Sequence, residues 1–290
     1  DQLGTLGSGN HFLEVEVVEE IFDPEVAAVF GLSVGQVAVL IHTGSRGLGY
    51  QICDDYLARM VKKMSELGVP IPDRQLACSW LESQAGRDYL AAMSCAANYA
   101  WANRQMLMHW TRETFEKTLR KSPRELGMKL LYDVCHNIAK LETFPVDGNM
   151  MELCVHRKGA TRSFPPGHPA LPVCYRKVGQ PVLIPGDMGT GSYVMVGTEK
   201  AYQETFGSTC HGAGRVMSRA QATRASSGRQ IAREMADRGV LVMASGKGTL
   251  KEEIPEAYKK LDDVIDVVHR AGLSRRENDG RGVRSGGRHV

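Results

Sequence analysis

Val37-Ala38-Val39-Leu40-Ile41-His42-Thr43-Gly44-Ser45-Arg46-Gly47-Leu48-Gly49 decides the fold class. Its first five residues are an unbroken apolar run, the pattern of a strand covered on both faces. A glycine-rich turn follows. Beyond it Leu57, Met60, Val61 and Met64 recur at helical spacing, which predicts a helix from about Gly49 to Leu67, stopped by Gly68, Pro70 and Pro72. Strand, glycine turn and helix in succession are the repeating unit of an α/β or α+β protein.

The pattern continues outward. The Ala-rich stretch 87–119 predicts one long helix, or two joined near Asn98–Asn103, and it reads as mostly interior. Short apolar runs at 130–135, 151–155, 181–184 and 192–196, separated by Gly and Pro, predict strands. Helices are expected at 215–238 and 255–271, with a strand at 240–243 between them. The fold class is mixed α/β (α+β), with buried sheets, a long helical insert and a single domain over residues 1–273. Residues 274–290, rich in Gly and Arg without apolar periodicity, are expected to be a disordered tail.

The 290 residues are 42% apolar and 24% charged, which excludes a disordered chain, a collagen-like repeat and a disulfide-stapled miniprotein. The net charge of +3 sits entirely in residues 274–290, where five Arg face two acids. A basic binding surface therefore has to come from local clustering. Seven cysteines without a CxxC pair suit reduced thiols in the cytoplasm. No apolar stretch reaches membrane-spanning length and no signal peptide is visible. A first residue Asp1, opening directly on Gly4-Thr5-Leu6-Gly7-Ser8-Gly9-Asn10-His11, reads as a chain without its natural N-terminal portion.

Four of the nine histidines share a context: His11, His42, His136 and His211 lie within two residues of a glycine or end an apolar run. Loops at strand ends are where such folds place ligand and catalytic groups. Imidazole is the commonest metal ligand, and imidazoles alone favour Zn, Fe, Cu or Ni over Mn or Mg. Cys135 and Cys210 each precede a histidine. Adjacent residues of an extended chain point to opposite faces, so both read as packed thiols.

Three glycine loops, 43–49, 185–192 and 211–215, point together to a ligand with several phosphates. The last is expected to open a helix whose dipole favours an anion. Arg46, the basic turn Arg157-Lys158-Gly159-Ala160-Thr161-Arg162, and Arg215 with Arg219 one helical turn on are candidate RNA or phosphate contacts. Arg224–Arg233 read as a solvated face paired with Glu234 and Asp237.

In order and spacing, Gly4–Glu14, His42–Gly47, Asp133–Asn137, His156–Arg162 and Cys210–Arg215 closely resemble the RtcB family of RNA-splicing ligases. Asp73–Cys78 and Asn98–Arg104 also resemble family sequence. The resemblance implies a GTP- and Mn2+-dependent RNA ligase acting in tRNA splicing and RNA repair. Ends bearing a 2′,3′-cyclic phosphate or 3′-phosphate would be joined to 5′-hydroxyl ends, with accessory proteins as further partners. It implies that His211 is the nucleophile that becomes guanylylated. His42 and His136 would hold one manganese, and His11 the other. Asn10, His11, Phe12, Leu13, Glu14, His136, Asn137, Pro185, Gly186, Asp187, Met188, Ser192, His211, Gly212, Ala213 and Gly214 would contact GTP, with Tyr258 near the guanine. The resemblance favours manganese where the histidines alone favoured zinc. Two departures stand out. The family's Asp-Val-Gly-Cys-Gly segment, which supplies two further metal ligands, is absent, so weak metal binding is expected. The family's closing Lys-Gly is replaced by the Arg- and Gly-rich end. Two competing readings are a dinuclear metallophosphoesterase, which needs no histidine–nucleotide adduct, and an inactive RNA-binding relative.

Overall fold

The computed structural model describes residues 2–68, 72–73, 76–244, 246–275 and 283–286. In chain order its elements are β1 (Phe12–Ile21), α1 (Pro24–Phe30), β2 (Val37–His42), α2 (Arg46–Lys63), α3 (Gln84–Leu119), β3 (Asn137–Val146), β4 (Asn149–Lys158), β5 (Ala160–Arg162), β6 (Pro181–Ile184), β7 (Ser192–Gly197), α4 (Glu199–Glu204), β8 (Ser208–Cys210), α5 (Arg219–Ala225), α6 (Ile231–Asp237), α7 (Lys247–Glu252), α8 (Leu261–Arg270), β9 (Ser274–Arg275) and β10 (Val283–Gly286). The mixed α/β class is as expected. The chain divides into two compact units, one of Asp1–Gly7 with Ile41–Lys129 and one of Ser8–Leu40 with Leu130–Val290. None of the described helices is long and apolar enough to cross a membrane.

The first unit is built on α2 and α3. Helix α3 is a single helix, capped where the Ser83 side chain accepts from the Gly86 N–H. Asn103, at its middle and fully buried, is a knot and not a joint. Its carboxamide accepts from the N–H groups of Gly4 and Thr5 at 2.7 and 3.1 Å and donates to the carbonyls of Thr5 and Gly44 at 3.0 and 3.2 Å. Thr43 adds a 2.6 Å bond to the Leu6 carbonyl. One amide thus satisfies two glycine-rich loops whose backbone would otherwise lack partners.

The second unit is organised by a sheet of order β2-β1-β10-β7-β6, with β9 also on β7. Val182, Ile184, Tyr193 and Met195 from β6 and β7 pack against Leu261 and Ile265 of α8, whose polar face stays out. A second cluster joins Ala222, Ile231, Met235, Val240, Ile254 and Ala257. Strands β3 and β4 form a separate ten-residue hairpin in register from Asn137↔Lys158 to Val146↔Asn149. Its turn residues Asp147 and Gly148 both have positive φ, as a two-residue hairpin loop requires. That Asp-Gly pair was the available signal for β3, which periodicity alone did not give.

Several expectations are corrected. Residues 130–135 and 240–243 are not strands. Leu131 and Tyr132 pack irregularly beside Phe30 and Tyr175, and Val240 fills the second cluster, but Leu130, Leu241 and Met243 are exposed, so these apolar runs mark neither a strand nor a segment covered along its length. The helix expected at 215–238 is the pair α5 and α6, and that at 255–271 is a 3₁₀ turn, Pro255–Ala257, followed by α8. The stretch expected to be disordered contains β9 and β10; β10 lies antiparallel between β1 and β7. Backbone pairing needs no apolar periodicity, so composition does not exclude it. The rest of 274–290 lies outside the described residues.

Candidate functional site

Two strand registers bring distant histidines together in the second unit. The β3–β4 hairpin closes with Asn137 opposite Lys158, so the Gly159 N–H donates to the His136 carbonyl at 3.0 Å and to Asn137 Oδ1 at 3.3 Å. The next strand pair, β5 with β8, sets Ala160 opposite Cys210. His136, Gly159 and His211 therefore fall in one row. The two imidazole rings lie 4.4 Å apart, tilted by 39°. His136 precedes β3; it does not end a strand, as the sequence suggested.

Burial pushes the His211 pKa below its ordinary value; a hydrogen bond to the Gly159 backbone opposes this, and Lys158 nearby adds to the lowering. The ring is held neutral with one nitrogen engaged on backbone, which leaves the other lone pair to act as a nucleophile. Gly159 has φ +66°, and a Cβ there would sit 3.4 Å from His211 Cε1 and 3.6 Å from Nδ1. Gly159→Ala is expected to cost about 1–2 kcal/mol of stability through the left-handed backbone. It should also shift the His211 ring resonances in an NMR spectrum; an unchanged imidazole signal would contradict the close approach.

The Pro185–Ser192 loop connects β6 to β7 and meets the segment after His211, where the Ala213 N–H donates to the Pro185 carbonyl at 3.3 Å. A Cβ on Gly186 would lie 2.4 Å from the Gly191 carbonyl oxygen. This glycine is required by the turn's own packing, whatever it binds. Buried Asp187 accepts from the Gly189 N–H at 2.7 Å and from the Thr190 hydroxyl, and burial raises its pKa despite those bonds. Met188 packs into the second cluster beside Tyr258, and Ser192 is buried at the start of β7.

Glu14, on β1, has its pKa driven well above the carboxylate range, first by burial, then by Glu16 and by Asp187. It is protonated at neutral pH and can donate a hydrogen bond as well as accept one. Its neighbours Phe12 and Leu13 are half-buried at the beginning of the strand, and half-buried His11 immediately precedes it. His42 ends β2 and Arg46 opens α2; both belong to the first unit, where Arg46 Nε donates to the Thr5 hydroxyl at 3.2 Å.

The basic residues divide sharply. Strand alternation on β4 turns Arg157 inward and leaves Lys158 exposed. Arg157 bonds to Glu142, Ser208 and the Phe206 carbonyl and is a structural cation, not an RNA contact. Arg162 is likewise committed, to Gln180 at 3.0 Å and Tyr132 at 3.3 Å, with its guanidinium over the Phe164 ring. Arg215 pairs with Glu253 at 2.7 Å and lies over the Tyr258 ring. The 211–215 loop does not open a helix: α5 starts at Arg219 behind a Ser218–Gln221 capping box, so no helix dipole reaches His211. Arg229 pairs with Glu234 and Glu256, as a solvated face should. Cysteine behaves as expected too. All seven are free thiols, and burial raises the Cys210 pKa.

The manganese expectation meets a limit in the donor set. Among the described residues no three His, Cys, Asp or Glu side chains come together as metal ligands. The described residues do not complete such a site.

The family model described as tRNA-splicing ligase RtcB matches residues 1–281. Three proteins named tRNA-splicing ligase RtcB align with 94% of the chain. That of Archaeoglobus fulgidus is 59% identical over 274 residues and is covered over 57% of its own length. Those of Pyrococcus abyssi and Methanocaldococcus jannaschii are 57% and 56% identical and are covered over 30% and 28%. The chain thus spans little more than half, or less, of these relatives.

Proposed function

The chain belongs to the RtcB family of tRNA-splicing ligases, and on that footing we propose that it carries a guanylate on His211 as the first step of joining RNA ends. The lone pair of a His211 ring nitrogen forms a bond to the α-phosphorus of GTP. The bond from that phosphorus to the α–β bridging oxygen breaks, and pyrophosphate leaves with the electron pair. The ring proton stays on the nitrogen engaged with Gly159. The guanylate then passes to an RNA 3′-phosphate oxygen, and GMP departs when a 5′-hydroxyl attacks that phosphate. Protonated Glu14 offers a donor to a guanine or phosphate acceptor, and exposed Lys158 is the cation of the basic turn best disposed towards an RNA phosphate.

The row His136–Gly159–His211 carries this reading, because it supplies a neutral, oriented imidazole beside the Pro185 loop. The test is mass spectrometry of the tryptic peptide Ala201–Arg215 after incubation with GTP and Mn2+, digested at neutral to alkaline pH because a phosphoramidate is acid-labile. An added guanylate on His211 is the expected result. GTP-independent phosphoester hydrolysis without an adduct would instead promote the metallophosphoesterase reading, and salt-sensitive RNA binding without either would promote the binding-protein reading.

A further inference from the structure

Glu253 follows α7 and is not itself among the positions that the family resemblance assigns. Its side chain is only 11% exposed. One carboxylate oxygen, Oε2, accepts from Arg215 Nη1 at 2.7 Å and from the Tyr258 hydroxyl. The other, Oε1, lies 3.5 Å from Arg219 Nε, and Arg219 Nη2 donates to Asn10 Oδ1 at 3.2 Å. Arg215 closes the circuit by donating to the Tyr258 oxygen at 3.0 Å, while its guanidinium lies 4.9 Å from the ring centroid. Backbone bonds, Lys259 N–H to Gly214 O and Val216 N–H to Ala257 O, tie the same two segments together.

Three parts of the chain far apart in sequence therefore converge on one carboxylate: the loop at Asn10, the segment that follows His211, and Tyr258. Each includes positions assigned to nucleotide contact. We propose that Glu253 is a positioning residue for the nucleotide, orienting Tyr258, Arg215 and, through Arg219, Asn10. This rests on the GTP reading above. The Tyr258 hydroxyl donates to Glu253 and accepts from Arg215, so both of those bonds are spent within the protein. Tyr258 then offers its ring, not its donor, to a base. Burial and the Glu253 charge together hold the phenol protonated well above its ordinary range.

The experiment compares the wild-type protein with Glu253→Gln, which preserves size and removes charge, and with Tyr258→Phe. Without any ligand, ultraviolet titration of the tyrosines, using Tyr258→Phe to isolate the signal, should show Tyr258 ionising at lower pH in Glu253→Gln. With GTP, calorimetry should show affinity about 10-fold weaker, the size of one charged hydrogen-bond network left incomplete. In the adduct assay KM should rise more than the saturating rate falls. Tyr258→Phe and Glu253→Gln should be less than additive in affinity, because they break one shared network. Equal GTP affinity in wild type and Glu253→Gln overturns the role of Glu253 alone. No GTP binding by either protein overturns the nucleotide reading and the role with it. If Glu253→Gln does not fold, the Tyr258→Phe affinity decides: a weaker GTP affinity is expected, because the hydroxyl's bond to Glu253 is lost, and an affinity equal to that of the wild type would overturn the proposal.

Discussion

Arg157→Ala is expected to destabilise the protein by about 3–5 kcal/mol, the cost of breaking a buried ion pair by removing one partner. The Arg157 side chain is 1% exposed and Glu142 is 11% exposed, with Nη2 to Oε2 at 2.7 Å. The same guanidinium donates to the Ser208 hydroxyl and the Phe206 carbonyl, both at 2.9 Å. It thus joins β4 to β3 and to the entry of β8, the strands that carry His136 and His211 to their meeting point. Removing it leaves the Glu142 carboxylate with only the longer 3.8 Å pair to Arg162 Nη1, in a place where water cannot replace the lost charge. The midpoint of urea unfolding measures the effect, and the double variant Arg157→Met with Glu142→Leu should recover much of the loss by replacing both charges with apolar volume. A single variant that loses less than about 1 kcal/mol, the range of an exposed pair, would show that Arg157 is solvated and available to RNA after all.

His211→Ala is expected to abolish the guanylate adduct, lowering its formation by at least about 10³-fold, as loss of a covalent nucleophile does. The ring is partly exposed at the end of β8, so circular dichroism should be unchanged. The pH dependence carries the sign of the environment. Burial and Lys158 lower the imidazole pKa, so the neutral, nucleophilic form persists as pH falls through about 6.5, where an ordinary histidine is half protonated. Adduct formation should stay level from pH 8 to below that point and only then decline. A decline centred above pH 6.5, or an adduct that survives in His211→Ala, would remove His211 from the nucleophile's role.

Much of the framework was legible in local pattern. The apolar runs at 37–41, 181–184 and 192–196 are β2, β6 and β7, and the helical spacing around Met60 and along 87–119 is α2 and α3. Burial periodicity is a local property, and these segments carry it in consecutive residues. The runs at 130–135 and 240–243 failed because only part of each is anchored, Leu131 and Tyr132 in one cluster and Val240 in another, while Leu130, Leu241 and Met243 are exposed; an apolar run does not by itself report a strand. At β1, Leu13, Val15 and Val17 alternate with Glu14 and Glu16. That is a strand signal, and it was hidden by the acids, of which Glu16 is buried and Glu14 half-buried.

The candidate site divides along the same line. By itself the sequence determined which segments are candidates to carry the chemistry, the glycine loops and the four histidines, and the motif order that marks the family. Only the tertiary structure decided which of them lie together. Two strand registers, and no spacing in the chain, place His211 beside Gly159 and His136. One buried carboxylate, Glu253, unremarkable in sequence, gathers Arg215, Arg219 and Tyr258. Of the basic turn, Arg157 faces the core and Lys158 the solvent. Charge type is written residue by residue, whereas the free energy of a charge depends on whether water or a partner from elsewhere in the chain surrounds it, and that is set when the strands pair.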